Sequence, residues 1–314
     1  ELEERLVLKG KDIIIGSDKG KAAGLADDGR ILLDSGGKIN KISHGSPVVI
    51  KPISGPSENI IAIDIGNTSA RIGYADKTGV VKACDVPISP EKDFSARLIS
   101  AGGELIAGRE TPAGAAVSCV SDRVRKKVMG KLKKSYKVKV TEVSRKNCAG
   151  LKLKIKPETA VGADRLANAV AVRDYYGGPA VVVDLGTANT FDIIDREGAY
   201  LGGVIAPGVE SMKDVLVEQA DKLSDFEITA PETVIGTDTE SCMRSGFYFT
   251  LTGQINEVLS RLRKERGTDQ KIIFTGGWVS ILGKEYLQNY IVDRNLTLKG
   301  IMLIAARKQF LTNL

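Results

Sequence analysis

The sequence predicts a mixed α/β protein preceded by a small all-β module. From Ile60 onward, apolar runs of strand length alternate with stretches of helical periodicity. Two of those runs end in the same Asp-x-Gly turn. The first fifty residues, by contrast, hold only short β runs separated by turn residues.

The N-terminal runs are DIIIGS, AAGLADDGRILLD, GGKINKI and SPVVIKPI. DDGR is a hairpin signal, because Asp and Gly tolerate the positive φ of a tight turn. So small an all-β unit is expected to form a barrel over 1–54. KPISGPSEN (51–59) joins two prolines, a glycine and serines and reads as a linker, with 55–59 between the modules. Strands follow at IIAIDIG, RIGYAD, AAVSCVS, KVKVTEV, AVVVDLG, FDIIDREG, AYLGGVI and KIIFTGG. Helices are expected at DRVRKKVMGKLKKSY, ADRLANAVAVRDYY and TESCMRSGFYFTLTGQINEVLSRLRKERG. The α/β part divides into halves at 60–157 and 158–314.

Bulk properties narrow the chemistry. A chain of 314 residues can hold two domains and a sizeable core. No apolar run approaches the roughly 18 residues of a membrane span, and no secretory leader opens the chain. It starts at Glu1 and enters a strand-like run almost at once, as a piece of a longer polypeptide would. Cys84, Cys119, Cys148 and Cys242 are scattered and fit reduced thiols in the cytoplasm better than a disulfide framework or a metal cage. His44 is the only histidine, which excludes histidine-rich metal sites and Ser–His triads within this chain. A general base here is a carboxylate, a lysine or a tyrosine. The net charge is +6, and much of the excess lies between Arg123 and Lys156. That run reads as a solvated helix face and strand edge. Nucleic acid is not expected, since neither a recognition motif nor interleaved aromatics accompany the lysines.

IIAIDIGNTSARIGYAD (60–76) and AVVVDLGTANTFDIID (180–195) each run from an apolar strand through Asp-x-Gly and a polar turn into a second strand. A dinucleotide fold would continue from its glycine-rich turn into a helix; here the chain folds back. Glycine lets a polyphosphate approach main-chain N–H donors, and Asn67, Thr68 and Thr187 add side-chain donors. A lone carboxylate would repel phosphate, so Asp64 and Asp184 make sense with cations between them and a nucleotide. KIIFTGGW (271–278) ends a further strand in the pair Gly276–Gly277, where an adenosine could lie across the backbone.

Two phosphate turns and a late glycine pair resemble the actin, sugar-kinase and Hsp70 superfamily. This implies duplicated ribonuclease H-like domains. Within that superfamily, DIGNT (64–68), VGADRLAN (161–168), DLGTANTFD (184–192), GAYLGGVIAPG (198–208), IGTDTESCMRSG (235–246) and FTGG (274–277) resemble the type III pantothenate kinases over about 58–314. The resemblance implies ATP-dependent phosphorylation of pantothenate, the first step of coenzyme A synthesis, by a cytoplasmic homodimer. Carried over, Asp164 is the base and Arg165 partners the substrate carboxylate. Gly162, Ala163 and Thr239 contact pantothenate. Asp64, Ile65, Gly66, Asn67, Thr68, Ser69, Ala70, Arg71 and Thr187 contact ATP, as Gly276 and Gly277 would. Asp184 coordinates a potassium or ammonium ion, and magnesium travels with the nucleotide near Asp64. A carboxylate suits this chemistry, because loose phosphoryl transfer needs only late removal of the hydroxyl proton. Two departures stand out: KLKIKPETAVGADR lacks the tyrosine the family places before its Gly-x-Asp-Arg, and SCVSD lacks a proline. A non-catalytic accessory protein keeping the fold is the alternative.

LKGKDIIIG and the residues after it resemble the C-terminal barrel, SH3-like in form, of biotin protein ligases. No ligase catalytic loop is present, so biotin transfer is not expected. His44 reads as a turn or surface residue.

Overall fold

The computed structural model describes residues 12–15, 18–25, 31–42, 48–49, 58–88, 93–157, 159–219 and 226–312. The DDGR turn, His44 and residues 55–57 of the linker lie outside them.

Five short strands open the chain: β1 (Asp12–Ile15), β2 (Asp18–Leu25), β3 (Ile31–Asp34), β4 (Ile39–Ile42) and β5 (Val48–Val49). They form one sheet of order β4-β3-β2-β1-β5, antiparallel at every pairing. Ile13 and Leu33 are fully buried. The all-β character of the module therefore stands at the level of a sheet.

The next sheet is built from β6 (Ile60–Ile65), β7 (Ser69–Asp76), β8 (Gly79–Pro87), β9 (Gly114–Cys119) and β10 (Lys139–Glu142). Between them run α1 (Phe94–Ile106) and α2 (Asp122–Tyr136). The order is β10-β9-β6-β7-β8, with β6–β7 and β7–β8 antiparallel and β6–β9 and β9–β10 parallel. Strand alternation sorts the side chains onto two faces. Ile61, Ile63, Ile65, Ala115, Val117 and Cys119 pack with Phe94, Leu98 and Leu105 of α1 and Val128 and Leu132 of α2. The residues between them, Ala62 and Asp64 on β6 and Ala116 and Ser118 on β9, point the other way.

After this sheet come α3 (Ala163–Ala171), which runs into a π turn over Val172–Tyr176, and the strands β11 (Ala180–Leu185), β12 (Ala188–Ile194) and β13 (Tyr200–Pro207). The helices α4 (Val209–Gln219) and α5 (Thr239–Arg266) follow, then β14 (Lys271–Thr275), a 3-10 turn over Gly277–Leu282 and α6 (Gly283–Leu287). The chain closes with β15 (Ile291–Val292) and α7 (Leu296–Thr312). The order of this sheet is β13-β12-β11-β14-β15, with β11–β14 and β14–β15 parallel. Numbered by appearance, both sheets run 3-2-1-4-5, so the duplication seen in the turns extends to whole sheets. Val181, Val182 and Val183 are all fully buried. A strand covered on both faces explains the unbroken apolar run of AVVVDLG.

The chain divides into two compact units: Glu1–Pro52 with Pro179–Phe191 and Gly203–Arg294, and Ile53–Gly178 with Asp192–Gly202 and Asn295–Leu314. In the second unit, α3 and α7 pack together, α7 lies on β6 and β9, and α3 reaches β9. The two helices cross where Gly300 of α7 meets the Ala167 carbonyl; a Cβ at 300 would strike that oxygen. A glycine there sets how close the helices come. Among the described residues, no helix is long and apolar enough to cross a membrane.

Candidate active site

The first Asp-x-Gly turn belongs to the unit holding α3. Asp64 stands near the end of β6, paired with Arg71 on β7 and Ser118 on β9. The turn closes through Gly66 N–H donating to Ser69 O at 2.9 Å, and Ile88 N–H donates to Thr68 O at 2.8 Å. Asn67, Thr68 and Ser69 are exposed, whereas Ile65 and Ala70 are buried in the core. Only main-chain atoms of those two are offered to a ligand. Arg71 is already engaged: one guanidinium nitrogen donates to both Asp85 oxygens at 2.8 and 2.7 Å, and another reaches Asn295 Oδ1 at 3.3 Å.

Asp64 and Ser118 lie on the sheet face that α3 and α7 cover, and Asp164 sits in the first turn of α3. The unit thus carries the proposed cation-side carboxylate and the helix of the proposed base on one side of one sheet. Ser118 Oγ is buried without a hydrogen-bond partner. The sequence reading passed over Ser118; its position one residue before the end of an apolar strand was the available signal. A carboxylate with a neighbouring hydroxyl is an oxygen donor set, which suits magnesium. Among the described residues, no group of three His, Cys, Asp or Glu side chains converges as a cage. The remaining ligands of such an ion would be phosphate oxygens and water.

At the start of α3, the carboxylate of Asp164 lies over Gly162, so that a Cβ there would strike its Oδ1. The same oxygen accepts the Arg165 backbone N–H at 2.9 Å. Asp164 therefore does act on the helix start, and its second oxygen is not used in that bond. Asn168, one turn along, is fully buried and accepts from Thr297 Oγ1 at 2.9 Å. That contact fixes α3 against α7.

Arg165 turns inward. Its Nε donates to Asp192 Oδ1 at 2.7 Å, its Nη2 lies 2.7 Å from the same oxygen, and Tyr200 Oη donates to it at 2.9 Å. The guanidinium carbon is 5.9 Å from the centre of the Tyr200 ring. Asp192 is completely buried. Burial pushes its carboxyl up to about 6, with the Arg165 charge and hydrogen bond opposing. Burial, followed by the Asp192 charge, likewise raises the Tyr200 phenol. Neither Asp192 nor Tyr200 was singled out as a site residue from the sequence. Both lie inside quoted motifs, but the contact that gives them meaning spans 27 residues.

The second turn belongs to the other unit. Gly186 N–H donates to Ala188 O at 3.3 Å, closing a loop one residue shorter than the first. Thr187 O accepts Gly208 N–H at 3.1 Å and Ser211 Oγ at 2.8 Å. A Cβ at 208 would strike the Gly186 carbonyl and come within 2.5 Å of that of Thr187. The Pro207–Gly208 turn thus braces the loop from behind. Asp184 is the half-buried residue of β11, between fully buried Val183 and Leu185, and a Cβ at Gly276 would lie 2.6 Å from its Oδ1. Gly276, at φ +98°, is demanded by this close approach, whereas Gly277 has open space around it. Thr239 is the exposed first residue of α5, beside Asp238, which accepts Ser241 N–H at 2.9 Å.

Gly66 and Gly186 are not at positive φ. A Cβ would meet Ser69 O at 3.3 Å in the first turn and Ala188 O at 3.6 Å in the second. At Gly186, then, neither backbone angle nor crowding calls for glycine.

The model of the type III pantothenate kinase family matches residues 60–261. A type III pantothenate kinase of Brevibacillus brevis is 33% identical over 253 residues, covering 80% of this chain and 99% of its own length. One from Desulfosudis oleivorans is 34% identical over 256 residues, with 79% and 98% covered. A solved structure from Campylobacter jejuni, described as a Baf family transcriptional activator, shares the fold at TM-score 0.50 and 20% identity, covering 81% of this chain and all of that one. With a family model spanning most of its α/β part and relatives aligned over nearly their whole length, this chain belongs to the type III pantothenate kinase family.

Proposed function

We propose that the chain transfers the terminal phosphoryl group of ATP to the primary hydroxyl of pantothenate, the first step of coenzyme A synthesis, with Asp164 receiving the hydroxyl proton. One observation carries the reading of the site. Gly186 lacks a side chain that its own fold has room for, in a turn whose main chain is braced by Gly208 N–H and Ser211 Oγ donating to Thr187 O. Open backbone there fits a polyphosphate, which takes N–H donors directly. Gly66 repeats the arrangement at the first turn with less room.

The base needs no special tuning. In a loose transition state the proton leaves late, and a positioned carboxylate suffices. Asp164 is held at the start of α3 with one oxygen on the helix and the other available to an alcohol. Arg165 offers the substrate carboxylate a planar donor edge, and Thr239 a hydroxyl. Asp64 and Ser118 would hold magnesium, and Asp184 a potassium or ammonium ion. When bound, these cations offset phosphate charge. The working form is proposed to be a cytoplasmic homodimer. The N-terminal sheet is proposed to close as a barrel of the biotin ligase type, without ligase activity.

The test is ATP-dependent formation of phosphopantothenate by the purified protein, with and without potassium. Turnover that requires the monovalent cation in the parent, and that falls or needs far more of the cation in Asp184→Asn, supports the assignment; loss of the potassium requirement in that variant with turnover unchanged counts against it. Nucleotide binding without turnover points instead to an accessory protein that keeps the fold.

A further inference from the structure

Asp192 carries an imbalance that the phosphoryl-transfer chemistry does not use. Two donors, Nε of Arg165 and the Tyr200 hydroxyl, bond its Oδ1, and Arg165 Nη2 lies 2.7 Å from the same oxygen as an ion-pair contact, while Oδ2 and that Nη2 are both buried without a hydrogen-bond partner. The pair is not the two-pronged fork that Arg and carboxylate adopt when free to choose. Arg165 is gripped by its inner edge and steadied by the Tyr200 ring, with its side chain 13% exposed.

Buried ion pairs are poor sources of stability, since desolvation offsets most of the attraction. What such a pair does well is fix a long side chain in one place. Without Asp192, the nearest anionic alternative for Arg165 is the adjacent Asp164, whose charge it already feels. An arginine folded onto Asp164 would block the carboxylate that must face the alcohol.

We propose that Asp192, with Tyr200, is a positioning residue: it holds Arg165 away from Asp164 with its outer edge presented to an anion, so that preference for a carboxylate-bearing substrate over a neutral analogue depends on Asp192. This rests on Arg165 being the contact for the substrate carboxylate.

The experiment compares kcat/KM for pantothenate and for its neutral analogue, in which the carboxylate is reduced to a primary alcohol. It uses the full chain and the variants Arg165→Gln, Asp192→Asn and Tyr200→Phe. Because a hydrogen bond between charged groups is worth about a tenfold change or more, the parent should favour the acid at least about tenfold, and Arg165→Gln should abolish that preference. Asp192→Asn should reduce the ratio at least about fivefold with the KM for ATP unchanged, and Tyr200→Phe should move it less in the same direction. General damage to the fold would lower both substrates together and leave the ratio intact. An unchanged ratio in Asp192→Asn and Tyr200→Phe, with the ratio lost in Arg165→Gln, overturns the positioning role alone. An intact ratio in Arg165→Gln removes the carboxylate contact itself, and the proposal with it. Tyr200→Phe keeps the ring and its packing, so it decides the matter should Asp192→Asn not fold.

Discussion

Replacing Gly186 by alanine separates what the fold needs from what the nucleotide needs. The backbone there lies outside the left-handed region, and the nearest atom to a new Cβ would be Ala188 O at 3.6 Å, an ordinary contact. Folding should tolerate the change and gain about 0.4–1 kcal/mol, because alanine restricts the unfolded chain. If phosphate oxygens approach this main chain, the same methyl group pushes them off. Losing one hydrogen bond to a charged group costs about 1.5–3 kcal/mol, which is roughly 10- to 150-fold in affinity. The variant should therefore melt at or slightly above the parent temperature without ligand, lose most of the shift that magnesium-ATP gives the parent, and show a KM for ATP raised at least about tenfold. Gly276→Ala is the contrasting control: its Cβ would strike the Leu185 carbonyl at a φ of +98°, so it should lower stability even without nucleotide. An unchanged KM for ATP in well-folded Gly186→Ala would refute the argument that the missing side chain serves a ligand.

Asp164→Asn should lower kcat at least about a hundredfold with little change in the KM for ATP; near-normal turnover would leave Asp164 with only its contact to the Arg165 N–H. Gly300→Ala should destabilise by about 1–3 kcal/mol, because its Cβ would meet the Ala167 carbonyl where α7 crosses α3; unchanged thermal stability would show that the crossing yields freely. Asp192 should make stability depend on pH. Its native value, about 6, lies above the ordinary carboxyl value of 3.8, so the native state holds the proton more tightly between those values and the group's contribution falls as pH rises towards 6. With Arg165, Tyr200 and Asp164 as the groups bearing on it, the stability of the parent relative to Asp192→Asn should fall by about 1 kcal/mol between pH 5 and pH 7 and level off above. A flat difference in urea denaturation across that range would contradict the burial argument.

The strands carrying the two turns were legible because each joins an apolar run to Asp-x-Gly, a pattern needing no distant information. The helix α7 was not, for a reason visible in its packing: Leu296, Leu298, Ile301, Met302 and Ile304 are all essentially buried. A helix with apolar groups all round has no polar face for periodicity to find. In α1 the adjacent Gly102 and Gly103 look like breakers. Yet Gly102 sits under the Tyr136 hydroxyl, where a side chain would collide. ADRLANAVAVRDYY reads as one helix, but the structure ends its α part at Ala171 and continues as a π turn. The residues of the candidate site were named from motif order. What Arg165 does with its charge was hidden, because Asp192 and Tyr200 reach it only through the fold.

The duplication also explains why the two copies serve different ends. Counting from the first residue of the returning strand, Ser69 in β7 and Ala188 in β12, the fifth position is Gly73 in one copy and Asp192 in the other. A Cβ at Gly73 would come within 2.8 Å of Leu298 Cδ1, so the first copy uses this position to admit α7. The second copy fills the equivalent position with a carboxylate that grips Arg165 on α3. One copy thus seats a helix against the sheet, and the other orients a cation beside the proposed base. The same strand register performs both tasks, because in each case the fifth side chain faces the helical layer rather than solvent. Exchanging the two residues should fail in both places, by collision with Leu298 in the first and by loss of Arg165's partner in the second.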